Sequence, residues 1–557
     1  MKKSPIFWIA NKIRRRIPAI LLMTAMQVGN ALLSVYFALG SRGVIDAAIA
    51  GEKEAFFRAC GKQAAIIVGI LLTLTALRHL RDRLRADLER DWKRNLLHGL
   101  LHGDYAAVSA YHSGELLNRL NNDVARVDDG VLNILPNGAA MVTRLVAAVV
   151  VLGTLDVRFT LAVVALGIVV LVSTALVRRK LTELNKKVSQ HDGKVSGFLQ
   201  EIMEKLLMVQ AMDVSSEVER RADVLLTDRY EIQRKRKNIS LATNTGVSLM
   251  SYGAGFLALC WCSLQMLQGR MSFGSLTAVT QLVSQLQAPV VNLSGVLPQY
   301  VALRASAERL MELDEIQGEP AHMTQHPGDV YDRMDFLCAR DLSFSYDRDC
   351  VLDGAEFALP KGDFAVITGP SGIGKSTLLK LLLGVFQPEN GQLYLRCSGG
   401  ELPLDRSTRR LFAYVPQGNL LLSGSLRENL TIVKPEAAES EIQQAIYVSA
   451  MEEFLLQLPD GLDTVLGENA AGLSEGQAQR LAIARAVLGG APVLLLDECT
   501  SALDADTEKL VLQRLRDLPD RTCIAVTHRP AALELCDCQM HILDGKIQLI
   551  RSTTTKE

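Results

Sequence analysis

Long apolar runs constrain this chain most, because about 20 consecutive apolar residues in a helix are solvated only by lipid or by a large protein interior. Six such runs lie in the first 300 residues. They fall near Ile17–Leu39, Ala64–Leu80, Val131–Leu155, Phe159–Val177, Ala242–Leu267 and Phe273–Tyr300, each bounded by charged or polar residues. Only Asp156-Val157-Arg158 separates the third from the fourth, the spacing of a helical hairpin. The last two runs are richer in Ser, Thr, Gln and Asn. One such helix would suit a soluble core, but six in succession predict an all-α polytopic membrane domain with long cytosolic helical extensions.

Basic residues set its orientation. Lys12, Arg14, Arg15 and Arg16 precede the first run, Arg78, Arg81, Arg83 and Arg85 cluster at the end of the second, and Arg178, Arg179 and Lys180 follow the fourth. These ends are expected in the cytosol, with both termini cytoplasmic and the protein in the plasma (cytoplasmic or inner) membrane. Two long inside loops follow, near 81–130 and 178–240. No small-residue cleavage site follows the first run, so it reads as a retained anchor. Lys plus Arg number 60 against 61 Asp plus Glu, which gives no electrostatic reason to expect nucleic acid. The ten cysteines show no framework spacing, and Cys536/Cys538 and Cys260/Cys262 lack a second pair at zinc-site distance.

Past the sixth run, Gln317-Gly318-Glu319-Pro320 and His326-Pro327-Gly328-Asp329 break the helical pattern. A domain boundary is expected near residue 325, with residues 1–325 in the membrane domain and 326–557 in an α/β domain where strand-like runs alternate with helical ones. Gly369-Pro370-Ser371-Gly372-Ile373-Gly374-Lys375-Ser376-Thr377 fits the P-loop pattern G-x-x-x-x-G-K-S/T. The strand-like Phe364–Thr368 leads in and an apolar helix leads out. Glycines let backbone N–H groups converge on phosphate, Lys375 would neutralise the β- and γ-phosphates of ATP, and Ser376 would ligate Mg²⁺. Val493–Leu496 is a second apolar strand, ending in Asp497 and Glu498. Alone, that pair could cap a helix. Beside a P-loop, Asp497 suits Mg²⁺ and Glu498 suits the orienting or deprotonation of an attacking water.

Leu473-Ser474-Glu475-Gly476-Gln477 resembles the LSGGQ signature of ABC ATPases, and with six preceding spans the chain resembles a half-transporter of the ABC exporter family. The resemblance implies further roles. Tyr346 would stack on adenine, Gln417 would link Mg²⁺ to the coupling surface, His528 would hold the γ-phosphate, and Ser501-Ala502-Leu503-Asp504 would form the D-loop. Ser474, Gly476 and Gln477 would close on nucleotide held by a second chain. Tyr111–Leu120 resembles the first intracellular loop of these exporters, which places candidate coupling helices near Asp104–His112 and Met208–Ser216. Three positions depart from the family pattern: Glu475 for glycine, Cys499 for alanine, and Val465 for an acid in the cross-talk loop that ends at Glu468.

Because Lys375, Glu498, Ser474 and His528 are all present, the expected partner is a second half-transporter, an identical chain before a different one. The expected activity is ATP-driven export of an amphipathic small molecule, peptide or lipid by alternating access. An ATP-gated channel and a membrane-anchored regulatory ATPase are the competing classes. Fusion of the domains argues against import, and the few residues before Ile17 argue against a leader-cleaving peptidase. Arg144, inside the third run, marks a possible anionic-cargo site or an interhelical partner. Asn244, Ser248, Tyr252, Gln281, Gln285 and Asn292 would line a cavity or join helices by hydrogen bonds.

Overall fold

A computed structural model describes residues 4–316, 326–346, 349–418, 421–467 and 472–551, apart from the side chains at 170–171, 174–175, 178–179, 287–295 and 297. The boundary expected near residue 325 falls outside the described residues, as does Glu468. Internal contacts separate two units, Met1–Gly99 with His112–Glu315, and Leu100–Tyr111 with Ile316–Glu557.

In the first unit α1 (Pro5–Lys12) leads into α2 (Ile17–Ile49) and the 50-residue α3 (Lys53–His102). The short α4 (Tyr105–Ser109) belongs to the second unit. Beyond it, α5 (Ser113–Asn118) passes through a π turn at Arg119–Asp123 into α6 (Val124–Leu155). Then come α7 (Val157–Glu204), α8 (Leu206–Ala211), α9 (Ser215–Leu267) and α10 (Phe273–Asp314). Four helical stretches are long and apolar enough to cross a bilayer: Ile17–Ile49, Lys53–His102, Ser113–Leu155 and Ser215–Leu267. The other two expected spans lie in α7 and α10, which both contain side chains outside the described set, so the count among the described residues is four and not six.

The hairpin turn read from the sequence is built by one carboxylate. Asp156 is extended (φ −158°, ψ 111°) and accepts hydrogen bonds from the N–H groups of Arg158 at 2.9 Å and Phe159 at 3.1 Å. Two otherwise unpaired donors at the start of α7 are thereby satisfied. Its other oxygen accepts from Trp261 Nε1 of α9 at 3.0 Å. Elsewhere polar side chains join helices, as where Gln285 Nε2 donates to the Ser34 carbonyl at 2.8 Å. Large apolar side chains such as Leu249, Phe256 and Leu176 are exposed. Polar groups inside and apolar groups outside suit a helix bundle whose solvent is hydrocarbon.

The second unit opens with α11 (Pro327–Asp332). Its strands are β1 (Met334–Tyr346), β2 (Asp349–Pro360), β3 (Phe364–Thr368), β4 (Asn390–Cys397), β5 (Gly400–Pro403), β6 (Phe412–Val415), β7 (Gly424–Ser425), β8 (Val465–Leu466), β9 (Val493–Asp497), β10 (Thr522–Val526), β11 (Cys538–Leu543) and β12 (Lys546–Arg551). The helices are α12 (Lys375–Leu382), α13 (Leu426–Thr431), α14 (Glu439–Val448), α15 (Glu452–Leu456), α16 (Glu475–Leu488), α17 (Ala505–Arg516) and α18 (Pro530–Leu535). A six-stranded sheet has the order β12-β11-β3-β10-β9-β6, and an antiparallel sheet the order β2-β1-β4-β5.

Strands β3, β6, β9 and β10 are parallel and almost wholly apolar, because both faces of a crossover sheet are covered. Val366, Leu494 and Cys523 pack with residues of α14, α16 and α17, whereas Ile367, Leu495 and Ile524 pack with α12 and the antiparallel sheet. A fully buried leucine such as Leu495 contributes about 1.5–3 kcal/mol.

Candidate functional site

Parallel pairing sets the site. Val526 lies level with Ile367 on one side and Asp497 on the other, so the carboxyl ends of β3, β10 and β9 converge at one edge of the sheet. Open α/β sheets bind ligands at such an edge. Gly369–Gly374 leaves β3 there and enters α12, with φ of +146° at Gly369, +81° at Gly372 and +106° at Gly374. A Cβ on Gly374 would sit 2.1 Å from Val351 Cγ1, so only glycine fits between the loop and β2. Gly372 has open space instead, with nothing within 4 Å of a Cβ position.

Lys375 is 6% exposed, and its Nζ donates to the carbonyls of Gly369 and Pro370, both at 2.9 Å. The ammonium is thus bent over the loop, where an incoming phosphate can replace the carbonyls. Ser376 Oγ donates to Asp497 Oδ1 at 2.9 Å, and the Tyr414 hydroxyl donates to Oδ2 at 3.0 Å. Burial, with the nearby Glu498 charge, raises the Asp497 carboxyl above its ordinary range despite those two bonds. Among the described residues no cation forms an ion pair with this buried carboxylate, though the Lys380 charge acts on it through space, and its contact with a P-loop hydroxyl fits a small hard cation: Ser376 and Asp497 supply the oxygen donors Mg²⁺ takes.

Glu498 is held in the left-handed region (φ +48°), its N–H donating to the Val526 carbonyl at 3.0 Å. Such backbone strain in a non-glycine residue clusters at functional sites. Its Oε2 accepts from Gln417 Nε2 at 2.7 Å, so two residues widely separated in sequence meet here. His528 follows β10 and is exposed. The Tyr346 hydroxyl is 3.3 Å from Thr377 Oγ1, and its ring sits edge-on to Phe344 and Phe386 at 5.0 and 5.6 Å.

The signature residues form a separate cluster, with no hydrogen bond to the P-loop among the described residues. Ser474 caps α16 in a reciprocal box with Gln477, while Ser474 and Glu475 are exposed. A Cβ on Gly476 would meet the Ala502 carbonyl at 2.8 Å, so this glycine lets α16 press against the D-loop. Asp504 caps α17 by accepting from the Thr507 N–H at 2.9 Å, the main reason its carboxyl lies below the ordinary range. Cys499 is buried and pushed up to about 12 by that burial, which marks a packing thiol.

Several contributors escaped sequence reading. Gln479 clamps the D-loop through Ser501 Oγ at 3.0 Å and the Ala502 N–H at 3.1 Å. Arg529 donates to the Leu503 carbonyl at 2.7 Å and to Glu508 at 3.1 Å, tying the loop after His528 to the D-loop. Burial and the Asp497 charge raise the Tyr414 phenol, so it stays a donor. The aromatic residue at 414, on the strand beside β9, was the available signal. At the first intracellular loop, Tyr105 of α4 packs edge-on to Phe386 at 6.1 Å, and Arg406 Nη1 donates to the His102 carbonyl at 2.8 Å.

In the helical unit, Arg144 lines a cavity of about 670 Å³ with Gln27, Asn30, Arg78, Arg81 and Asn137. Arg81 Nε and Arg144 Nε are buried without a partner among the described residues. Asn244, Ser248, Tyr252, Gln281 and Gln285 do not line it, and the Asn292 side chain lies outside the described set. The exposed Leu207, Met208 and Met212 lie on and just after α8, the second candidate coupling helix.

Residues 20–290 match the family model described as the ABC transporter transmembrane region, and residues 352–501 match that described as ABC transporter. The ATP-dependent lipid A-core flippase of Chromobacterium violaceum is 31% identical over 445 residues, 78% of this chain and 75% of that protein. The cyclolysin secretion/processing ATP-binding protein CyaB of Bordetella pertussis is 30% identical over 381 residues, 67% of this chain but 52% of CyaB. The chain thus spans about half the length of that relative. The mycobactin import ATP-binding/permease protein IrtB of Mycobacterium tuberculosis is 38% identical over 227 residues, 40% of this chain and 39% of that one. The solved structure of a bacterial Atm1-family ABC exporter with ATP bound aligns with a TM-score of 0.77 and 25% identity, covering 96% of this chain and 94% of that one.

Proposed function

This chain belongs to the ABC transporters of exporter architecture, a transmembrane region and an ATPase domain fused in one polypeptide, and from that premise we propose that it pumps a substrate outward by ATP hydrolysis. The observation that carries the reading is the meeting of Lys375, Ser376, Asp497 and the Gln417–Glu498 pair at one edge of the parallel sheet. Lys375 and the P-loop amides hold the β- and γ-phosphates, and Tyr346 stacks on the base. Ser376, Asp497 and Gln417 would hold Mg²⁺, which would neutralise phosphate charge. Gln417 orients Glu498, which takes the proton of the attacking water, and His528 donates to the γ-phosphate.

One transmembrane region and one ATPase domain make half a transporter, and the architecture implies a dimer. We propose that the partner is an identical chain, since no catalytic motif is degenerate. Ser474 and Gly476 of one copy then close on nucleotide held by Lys375 of the other, and the exposed apolar residues at α8 give a second copy a docking face. Differential affinity of ATP for the closed pair drives the membrane halves between states. The boundary near residue 325, the six spans and the cytoplasmic termini in an inner membrane belong to the same proposal.

Export is favoured by the names of the flippase and of the secretion protein. Domain fusion does not decide direction, because IrtB carries an import name beside the same pairing. The cavity beside Arg144 suits an amphipathic cargo with an anionic or carbonyl-rich group. The test is ATPase and uphill transport in lipid nanodiscs and proteoliposomes across peptides, lipids and amphipathic compounds. Glu498→Gln is expected to lower turnover by at least about 100-fold while ATP binding persists. Full transport by that variant would sink the assignment, and unchanged substrate-stimulated ATPase in Arg144→Ala would remove the cavity from it.

A further inference from the structure

A second cavity, of about 830 Å³, lies where the corner between α1 and α2 meets α3. Lys12, Arg14, Arg15, Arg16, Arg90 and Arg94 line it, against Asp91 as the acid in its wall. Three of these cations are neutralised nearby. Lys12 pairs with Asp314 at 2.6 Å, Arg16 with Asp87 and Asp91 at 3.0 and 3.1 Å, and Arg90 with the same two acids at 3.9 and 3.6 Å. Among the described residues no acid pairs with Arg14, Arg15 or Arg94, all exposed.

The depth of the cavity comes from its neighbours. Trp8 of α1 packs on Trp92 of α3 with ring centroids 5.1 Å apart, and Arg16 pairs with Asp87 and Asp91, so the basic corner is level with the C-terminal part of α3. Just beyond Arg16, Leu21 and Leu22 are more than half exposed on a helix, Ile17–Ile49, that is long and apolar enough to cross a bilayer. On α1, Trp8 and Ile9 are buried while Ile6 and Phe7 are exposed at 49% and 68%, the pattern of a short helix lying in a membrane surface. Unpaired arginines in a cavity at that surface face phosphate groups before any other anion.

We propose that this cavity binds the headgroup of an anionic phospholipid of the cytosolic leaflet, with Arg14, Arg15 and Arg94 on its phosphate. The proposal rests on the cytosolic placement of the α1–α2 corner in the function proposed above. ATPase activity and transport nevertheless hold or fail independently of lipid retention, so the two failures are distinguishable.

The test is native mass spectrometry of the purified full-length protein titrated with phosphatidylglycerol or phosphatidylcholine. At about fivefold per cation, the parent should retain phosphatidylglycerol at least tenfold more readily. The triple variant Arg14→Ala, Arg15→Ala, Arg94→Ala should lose that preference at unchanged basal ATPase, and the matching triple lysine variant should keep most of it. Equal retention of the two lipids by the parent overturns the proposal. So does an alanine triple that keeps the preference, or displacement of the lipid by inorganic phosphate at millimolar concentration, which would mark a free-anion site.

Discussion

In the membrane unit Asp123 is fully buried and accepts hydrogen bonds from Ser306 Oγ at 2.9 Å and Arg309 Nε at 2.7 Å; in the ATPase unit Asp497 is 2% exposed and, among the described residues, accepts from two hydroxyls. The first carboxylate is neutralised by its own chain. Its neighbour Arg119, 5% exposed, is tied likewise to Glu115 and Glu312 at 2.7 and 2.9 Å, so the π turn is locked to α10. The second carboxylate has no ion pair among the described residues. One unit uses buried charge to join helices, and the other keeps it ready for a ligand at some cost in stability.

Three variants bear on that contrast. Asp123→Ala removes the acceptor of Ser306 and of the Arg309 guanidinium, itself 39% exposed, and should destabilise the membrane unit by about 1–3 kcal/mol, read as a loss of thermal stability in detergent. Adding Arg309→Met should recover much of the loss; if it does not, the pair is not a closed unit. Asp497→Asn should abolish ATPase activity yet stabilise the ATPase unit by on the order of 1 kcal/mol, a rise of roughly 2–4 °C without nucleotide. The sign follows from linkage. The folded-state carboxyl titrates above its unfolded value near 3.8, so the ionised form opposes folding above that pH. The gain should therefore be present at pH 8 and vanish as the pH falls toward 4; a loss of stability at pH 8 would contradict it. The smallest effect concerns α4. An aromatic edge contact is worth about 0.5–1.5 kcal/mol, so Tyr105→Ala should lower substrate-stimulated ATPase about fivefold with ATP affinity kept. A change in ATP affinity instead would place Tyr105 in the base-binding cluster through Phe386 and Tyr346.

The P-loop and the strand ending in Asp497-Glu498 were legible because each is a local pattern, and the signature was legible through its likeness to a family motif. A φ above zero calls for glycine, and a buried parallel strand for continuous Val and Leu. The turn at Asp156 was readable for the same reason, as an acid between two apolar runs. The Gln479 clamp on Ser501, the Arg529–Glu508 bridge and the Tyr105–Phe386 contact were not. Each joins side chains distant in sequence whose types are ordinary on any helix or loop.

The sequence by itself determined two kinds of solvent for one chain, hydrocarbon around long apolar helices and water around an α/β domain, along with the residues that can cradle phosphate. Periodicity and spacing carry that much because backbone hydrogen bonding and burial act within a few residues. Tertiary structure alone decided which buried charges are answered by the chain and which are left open. The reach of Arg309 to Asp123, and the want of any such partner for Asp497 among the described residues, depend on segments brought together only by packing.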